Sequence, residues 1–223
     1  MHSASCPIFW SFRRCPYAMR ARLAIRASGL TVELREILLR DKPAAFMSAS
    51  SKATVPVLEL GNGTVLDESL NIMFWALQKS GDPAGWLSGW STRKRQTESF
   101  LDELDGEFKT HLDRYKYASR YVAKTQSATK LANKHRASGC KFLIRVDARL
   151  SKEPFLNGDS AGLEDFAALP FVRQFRMADI KWFDEQNWPF LQRWLQTFLC
   201  SQKFKNIMVK YKPWAPKATP IIF

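Results

Sequence analysis

The spacing of apolar residues gives the first part of the chain mixed periods and the rest a single one. Ile8, Phe9 and Trp10 form a short apolar run that predicts a strand. Cys15-Pro16-Tyr17 then opens a helix, since proline is tolerated in a first helical turn. Ala21, Ala24, Ile25 and Ser28 fall on one face, while Arg20, Arg22 and Arg26 are free to stay in water. Gly29 is a natural stop. From Thr31 to Leu38 the pattern starts out with period two. Val32 and Leu34 point one way, Glu33 and Arg35 the other, which predicts a half-buried strand. Val55 to Leu60 is a third strand. Gly61-Asn62-Gly63 is a turn, and Thr64-Val65-Leu66 returns as a fourth strand to close a hairpin. Ser69 to Gln78 is a helix apolar enough for burial on most sides. The order is βαβ, an irregular stretch, then ββα.

Gly81-Asp82-Pro83 breaks this pattern, and a linker with Trp86 and Trp90 follows. Beyond it every periodic segment is helical. Leu101, Leu104, Phe108, Leu112 and Tyr115 recur at steps of three and four. A long helix over Thr129 to Leu150 presents Phe142, Val146 and Leu150 on one face. Gly158 and Gly162 mark a loop. Leu163 to Met177 is an apolar helix that Pro170 should kink, and Trp188 to Leu199 is an amphipathic one. The expected domains are an α/β domain over residues 1–80, a linker over 81–92 and an all-helical domain over 93–223.

Composition narrows the class. A chain of 223 residues with 46% hydrophobic and 25% charged residues is globular, which excludes disordered and collagen-like readings of the whole. No apolar run approaches the roughly 18 residues of a membrane span. The stretch from Pro7 to Phe12 is too short for a secretory leader and runs into Arg13 and Arg14, so a soluble, cytoplasmic protein is expected. Cys6, Cys15, Cys140 and Cys200 lack metal-type spacing, and His2, His111 and His135 are scattered, so no metal site is expected. The 34 basic and 21 acidic residues leave a net charge of +13, which favours anionic partners. Ten basic residues lie between Arg114 and Arg149, Lys124 among them, against one acid, Asp147. A charge run of this kind is usually a solvated face. No nucleic-acid-binding motif accompanies it.

Three places carry chemistry. Cys15 stands between a strand end and a helix start, beside Arg13 and Arg14, where helix amides and positive charge both favour the thiolate. Most cysteines in turns are simply small buried residues. The strand–Cys–Pro–helix context favours the functional reading for Cys15 and for none of the other three. Thr54-Val55-Pro56-Val57-Leu58 puts a proline at a strand start, and a cis bond there would offer the Val55 backbone to a ligand. In Asp67-Glu68-Ser69, at a helix opening, Ser69 offers a hydroxyl and free amides to a ligand carboxylate, and Glu68 an acceptor for an ammonium. Taken singly, each residue is more commonly an ordinary helix cap.

Together these motifs resemble the glutathione S-transferase superfamily on its cysteine-dependent side, the omega-like transferases and two-domain glutaredoxins. Arg14-Cys15-Pro16-Tyr17-Ala18 is similar to the active-site turn. Asp41-Lys42-Pro43, Thr54 to Leu58 and Glu68-Ser69 are similar to the glutathione-binding segments, and Gly162 to Phe175 to the capping segment of the second domain. The resemblance implies a thioredoxin-like βαβαββα domain followed by an all-helical domain. It implies that Cys15 forms a mixed disulfide with glutathione, the co-substrate. Val55 and Pro56 would meet the cysteinyl part, Glu68 and Ser69 the γ-glutamyl end and Lys42 the glycine carboxylate. A second-substrate pocket would draw on Phe12, Tyr17, Arg114, Tyr115, Tyr117 and Trp182.

Ala18 stands where dithiol relatives carry a second cysteine, which implies a monothiol route with glutathione as resolving thiol. Gly162 replaces a usual serine and Glu164 a usual small residue, which weakens the expected cap at Asp165. The implied activity is thiol transfer, meaning deglutathionylation of a small mixed disulfide, or reduction of small disulfides or of dehydroascorbate. Conjugation to a small electrophile, with Tyr17 or Ser11 as hydroxyl donor, is a second enzymatic option. A non-catalytic glutathione- or membrane-binding protein, like the chloride intracellular channel proteins, is the alternative. No stable membrane insertion and no nucleic-acid partner are expected. A homodimer is compatible with the resemblance.

Overall fold

In the first part of the chain the apolar strands stack as the patterning requires. The computed structural model describes residues 6–122 and 127–223; His2 and Lys124 lie outside the described residues. Strand β1 (Ile8–Ser11) leads into helix α1 (Pro16–Ser28), then β2 (Glu33–Glu36), α2 (Ala44–Ala49), β3 (Val57–Glu59), β4 (Val65–Leu66) and α3 (Ser69–Ser80). This is the βαβαββα order. β1 pairs parallel with β2, Phe9 opposite Leu34, and antiparallel with β3, Phe9 opposite Leu58. Phe9, Trp10, Leu34, Val57 and Leu58 are all buried. The stretch read as irregular contains α2, whose Phe46 packs 5.6 Å from the Trp10 ring. A six-residue helix with one buried side chain leaves no periodicity to read.

Helix α1 starts at Pro16 and stops at Gly29, which takes a left-handed φ of 70°. One expectation fails on it. Arg20 and Arg22 are not wet but 1% and 0% exposed. Their counter-groups come from elements remote in sequence: Ser69 for Arg20, and Ser11, Glu36 and the Ile207 carbonyl for Arg22.

A second unit, Leu87–Ser201, is helical throughout. α4 (Trp90–Glu103) runs through a π-helical turn at Leu104–Phe108 into α5 (Lys109–Lys116). Leu101, Leu104, Phe108, Leu112 and Tyr115 are buried along this stretch. α6 (Ala128–Leu150), α7 (Leu163–Arg176), α8 (Ile180–Asp184) and α9 (Pro189–Cys200) follow. α7 continues through Pro170 without a break. The Phe108 ring lies 4.5 Å from Phe142 and 5.7 Å from Phe175. Asp147, the single acid of the basic run, accepts the Phe190 and Leu191 amides at 3.0 and 2.8 Å and so caps α9. Arg136, Arg145 and Arg149 of that run pair with Asp179, Glu103 and Glu164.

The segment from Gln202 departs from the expected boundaries. It belongs with residues 1–86, not with the helical unit. Helix α10 (Gln202–Ile207) packs on α1, and strand β5 (Ile221–Ile222) pairs antiparallel with β2, giving the sheet order β4-β3-β1-β2-β5. Two hydrogen bonds between Phe223 and Val32, at 2.9 and 3.1 Å, close that edge. A two-residue strand behind a lysine-rich stretch gives no alternation to detect.

The start of α7 explains the departures at residues 162 and 164. Asp165 accepts the Gly162 and Asn157 amides at 3.0 and 3.1 Å, and the Leu156 amide and Trp194 indole at 2.8 Å each. Glu164, fully buried, takes Thr97 at 2.7 Å and Arg149 at 2.5 Å. A Cβ at Gly162 would overlap the Asn157 carboxamide, which itself accepts from Arg93 at 2.7 Å. Gly162→Ser alone is therefore expected to destabilise by about 1 kcal/mol through overpacking. Combined with Asn157→Ala it should recover about 1 kcal/mol from the new cap. Urea unfolding of the two single variants and the double variant checks this.

His111 on α5 and His135 on α6 meet Nδ1 to Nδ1 at 2.8 Å, so one proton bridges the pair. Glu107 lies 3.7 Å from the far nitrogen of His111. Burial, then His111, Arg114 and Lys134, hold the His135 pKa below its ordinary value. The fold thus favours neutral His135. That stability is present above the unfolded histidine pKa of about 6.5 and is lost as pH falls through it toward the lower folded value. The melting temperature should drop between pH 7.5 and 5.5, and drop less in His135→Gln.

Candidate active site

The sequence-predicted residues of the first unit gather at the helix openings beside β1 and β3. Cys15 is the residue before the first turn of α1, with extended φ and ψ of −76° and 125°. Its amide donates to Phe12 O at 2.9 Å, closing the turn, and its carbonyl accepts the Met19 amide at 2.9 Å as the first helical bond. The thiol is half-buried and lies 3.6 Å from the Val55 carbonyl oxygen. The Val55-Pro56 bond is cis. Val55 is buried and shares an apolar cluster with Trp10, Ile37, Phe46 and Val57, against which Phe12 and Cys15 pack.

Glu68 and Ser69 sit at the opening of α3, as their spacing predicts. Ser69 is buried, and its hydroxyl accepts the Arg20 Nε–H at 2.9 Å. Glu68 is exposed, and its carboxylate takes the Lys52 ammonium at 2.5 Å. That bond comes first among the influences that raise the Lys52 pKa. Lys42 donates to the Ala53 carbonyl at 2.9 Å, which ties the loop before α2 to the segment leading into Val55. Tyr17 lies under the Arg20 guanidinium at 5.0 Å, and Phe12 under Arg14 at 5.3 Å.

Ser11 is not placed to serve a ligand. It is fully buried, and its hydroxyl accepts the Arg22 Nε–H at 2.8 Å. Arg20, Lys52 and Glu36 are the residues that sequence reasoning missed. All three act through partners from 14 to 49 residues away, which no local pattern reports.

The remaining predicted residues belong to the helical unit. Tyr115 and Trp182 both approach Phe175, at 4.9 and 6.5 Å, and share the Arg136 guanidinium at 5.9 and 4.3 Å. Tyr115 is 8% exposed, and burial is the main influence raising its phenol pKa. It is largely a core residue. Arg114 turns to Tyr121 at 5.4 Å, and Tyr117 lies beneath Arg120 at 4.4 Å. Among the described residues no group of three or more His, Cys, Asp or Glu could hold a metal ion, and no helix is long and apolar enough to cross a membrane.

A βαβαββα unit with a cysteine at the first helix start, facing a cis-proline strand, is a thioredoxin-like domain. Residues 9–84 match the model of the glutathione S-transferase N-terminal domain, and residues 114–201 that of the C-terminal domain. The chain belongs to the glutathione S-transferase superfamily. It is 25% identical to glutathione S-transferase U22 of Arabidopsis thaliana over 173 residues, which is 77% of this chain and 75% of that one. It is 36% identical to glutathione S-transferase omega-1 of Mus musculus over 61 residues, only 27% of this chain and 25% of that one. Its fold is similar to that of a Pseudomonas fluorescens glutathione transferase family member solved with two glutathione bound. The TM-score is 0.78, with 16% identity over 93% of this chain and 94% of that one. A Pseudomonas putida glutathione transferase with one glutathione disulfide bound per subunit gives 0.76 and 19%, over 93% of each chain.

Ser69→Ala removes an acceptor of the buried Arg20 guanidinium. It should destabilise the protein by about 1–3 kcal/mol, read by chemical denaturation, well above the effect of an exposed serine.

Proposed function

We propose that this protein is a glutathione-dependent thiol transferase in which Cys15 is the reacting group. The observation that carries the reading is the place of Cys15, just before the first turn of α1 with its sulfur 3.6 Å from the Val55 carbonyl. Helix amides favour a thiolate there, and the Val55 backbone beside it would align a peptide-like ligand. The γ-glutamyl end of glutathione would reach the opening of α3, its ammonium replacing Lys52 on Glu68. Its glycine carboxylate would meet Lys42.

The chemistry needs no other protein thiol. The Cys15 thiolate attacks the glutathionyl sulfur of a mixed disulfide, the S–S bond breaks, and the substrate leaves as a thiolate that takes a proton from water. Cys15 then carries glutathione in a disulfide. A second glutathione thiolate attacks that sulfur, releasing glutathione disulfide and restoring Cys15. Ala18, fully buried one turn into α1, offers no resolving thiol, which supports the route through a second glutathione. The burial of Ser11 under Arg22 supports exchange over conjugation, because it takes away one of the two hydroxyl donors that conjugation would use.

The test is turnover of a small glutathionyl mixed disulfide with glutathione. Wild type should be active, and Cys15→Ser should lose at least about 100-fold in kcat. Glu68→Gln should raise KM for glutathione several-fold with kcat less affected. Full activity in Cys15→Ser would sink the reading.

A further inference from the structure

The segment that returns to the first unit after Ser201 makes contacts that converge on the turn carrying Cys15. Their centre is Glu36, the last residue of β2. One carboxylate oxygen accepts the Arg13 backbone amide, two residues before Cys15, at 2.7 Å, and the other pairs with Arg22 of α1. The Glu36 carbonyl accepts the Trp214 amide at 2.7 Å. Arg22 donates onward to the Ile207 carbonyl at 3.0 Å, and Arg13 donates to the Met208 carbonyl at 3.2 Å. The Trp214 ring lies 5.1 Å from Trp10 and packs on the apolar cluster that also holds Cys15 and Val55. Arg35 covers both indoles at 4.9 and 4.8 Å.

We propose that the 202–223 segment, through Glu36 and Trp214, positions the Cys15 turn against the Val55 strand for reaction. Three features support a positioning role over simple packing. The carboxylate holds a backbone amide of the turn itself, not a side chain. Both ends of the turn are tied, Arg13 by Glu36 and Met208, and Cys15 by the cluster under Trp214. The tryptophan touches β1, which leads directly into the turn. Trp214 and Glu36 need touch no substrate; they act through the sulfur they place. The proposal rests on the reading of Cys15 as the reacting group.

Removing the Glu36 carboxylate would strand a buried guanidinium and threaten the fold, so Trp214 is the residue to change. In the full chain, Trp214→Ala should lower kcat for thiol transfer about tenfold, with KM for glutathione within about twofold, because misplacement of a reacting atom acts on the chemical step. Trp214→Phe should restore most of it. Alkylation by iodoacetamide, mapped peptide by peptide, gives a readout independent of turnover. Cys15 should react about three- to tenfold more slowly in Trp214→Ala, while the exposed Cys6 and Cys200 are unchanged. Cys140, whose thiol burial pushes up to about 11, reports general loosening and should stay slow. Wild-type kcat and Cys15 labelling in Trp214→Ala would overturn the proposal. So would slower turnover accompanied by faster Cys140 labelling. Full activity in Cys15→Ser would instead overturn the reading beneath it, while the labelling comparison would still judge the placement.

Discussion

The first unit depends on one buried ion pair. Arg22 is fully enclosed, and burial alone would favour its neutral form; Glu36 opposes that pull. Stripping water from two charges costs about as much as their attraction returns, so a pair of this kind adds little to stability by itself. Its effect is to make alternatives costly. Each guanidinium nitrogen has an assigned acceptor: Ser11 on β1, the Ile207 carbonyl and Glu36 on β2. Any arrangement that separates β1, α1, β2 or the returning segment leaves a charge buried without a partner. Apolar residues of the same volume would fill the space without selecting that geometry.

The helical unit uses acids in a similar way. Asp165 gathers three backbone amides and an indole, Glu164 joins α4 and α6 to the start of α7, and Asp147 starts α9 from the side of α6. In a chain with 34 basic residues and 21 acidic ones, acids are scarce, and these three hold helix starts and, at Glu164, the half-buried Arg149. The excess of lysine and arginine is left for the surface and for stacking on tyrosines, as at Tyr117 and Tyr121.

Much of the fold is legible in the sequence because it is periodic. Ile8 to Trp10, the hairpin at Gly61-Asn62-Gly63 and the Leu101–Tyr115 stripe all announce themselves by spacing. The cysteine at the helix start is legible because proline and glycine bracket α1. What escapes is whatever depends on meetings between distant segments. Arg20 and Arg22 look like a wet helix face because Ser69 and Glu36 lie outside the window of any helical pattern. Trp214 carries no local signal because its partner Trp10 is some two hundred positions away. Gly162 reads as a lost cap because the Asn157 side chain that fills its place cannot be foreseen.

The first unit is discontinuous in sequence: residues 87–201 form the other unit and separate its two pieces. On the ribosome β2 is therefore made long before the strand that pairs with its outer edge. Until residues 202–223 emerge, that edge is open to any other extended chain, and Arg22 lacks one of its acceptors. The chain must synthesise all of residues 87–201 before its first sheet can be finished. Completion of the sheet is thus a late, long-range event, and it arrives together with the contacts that hold the cysteine turn.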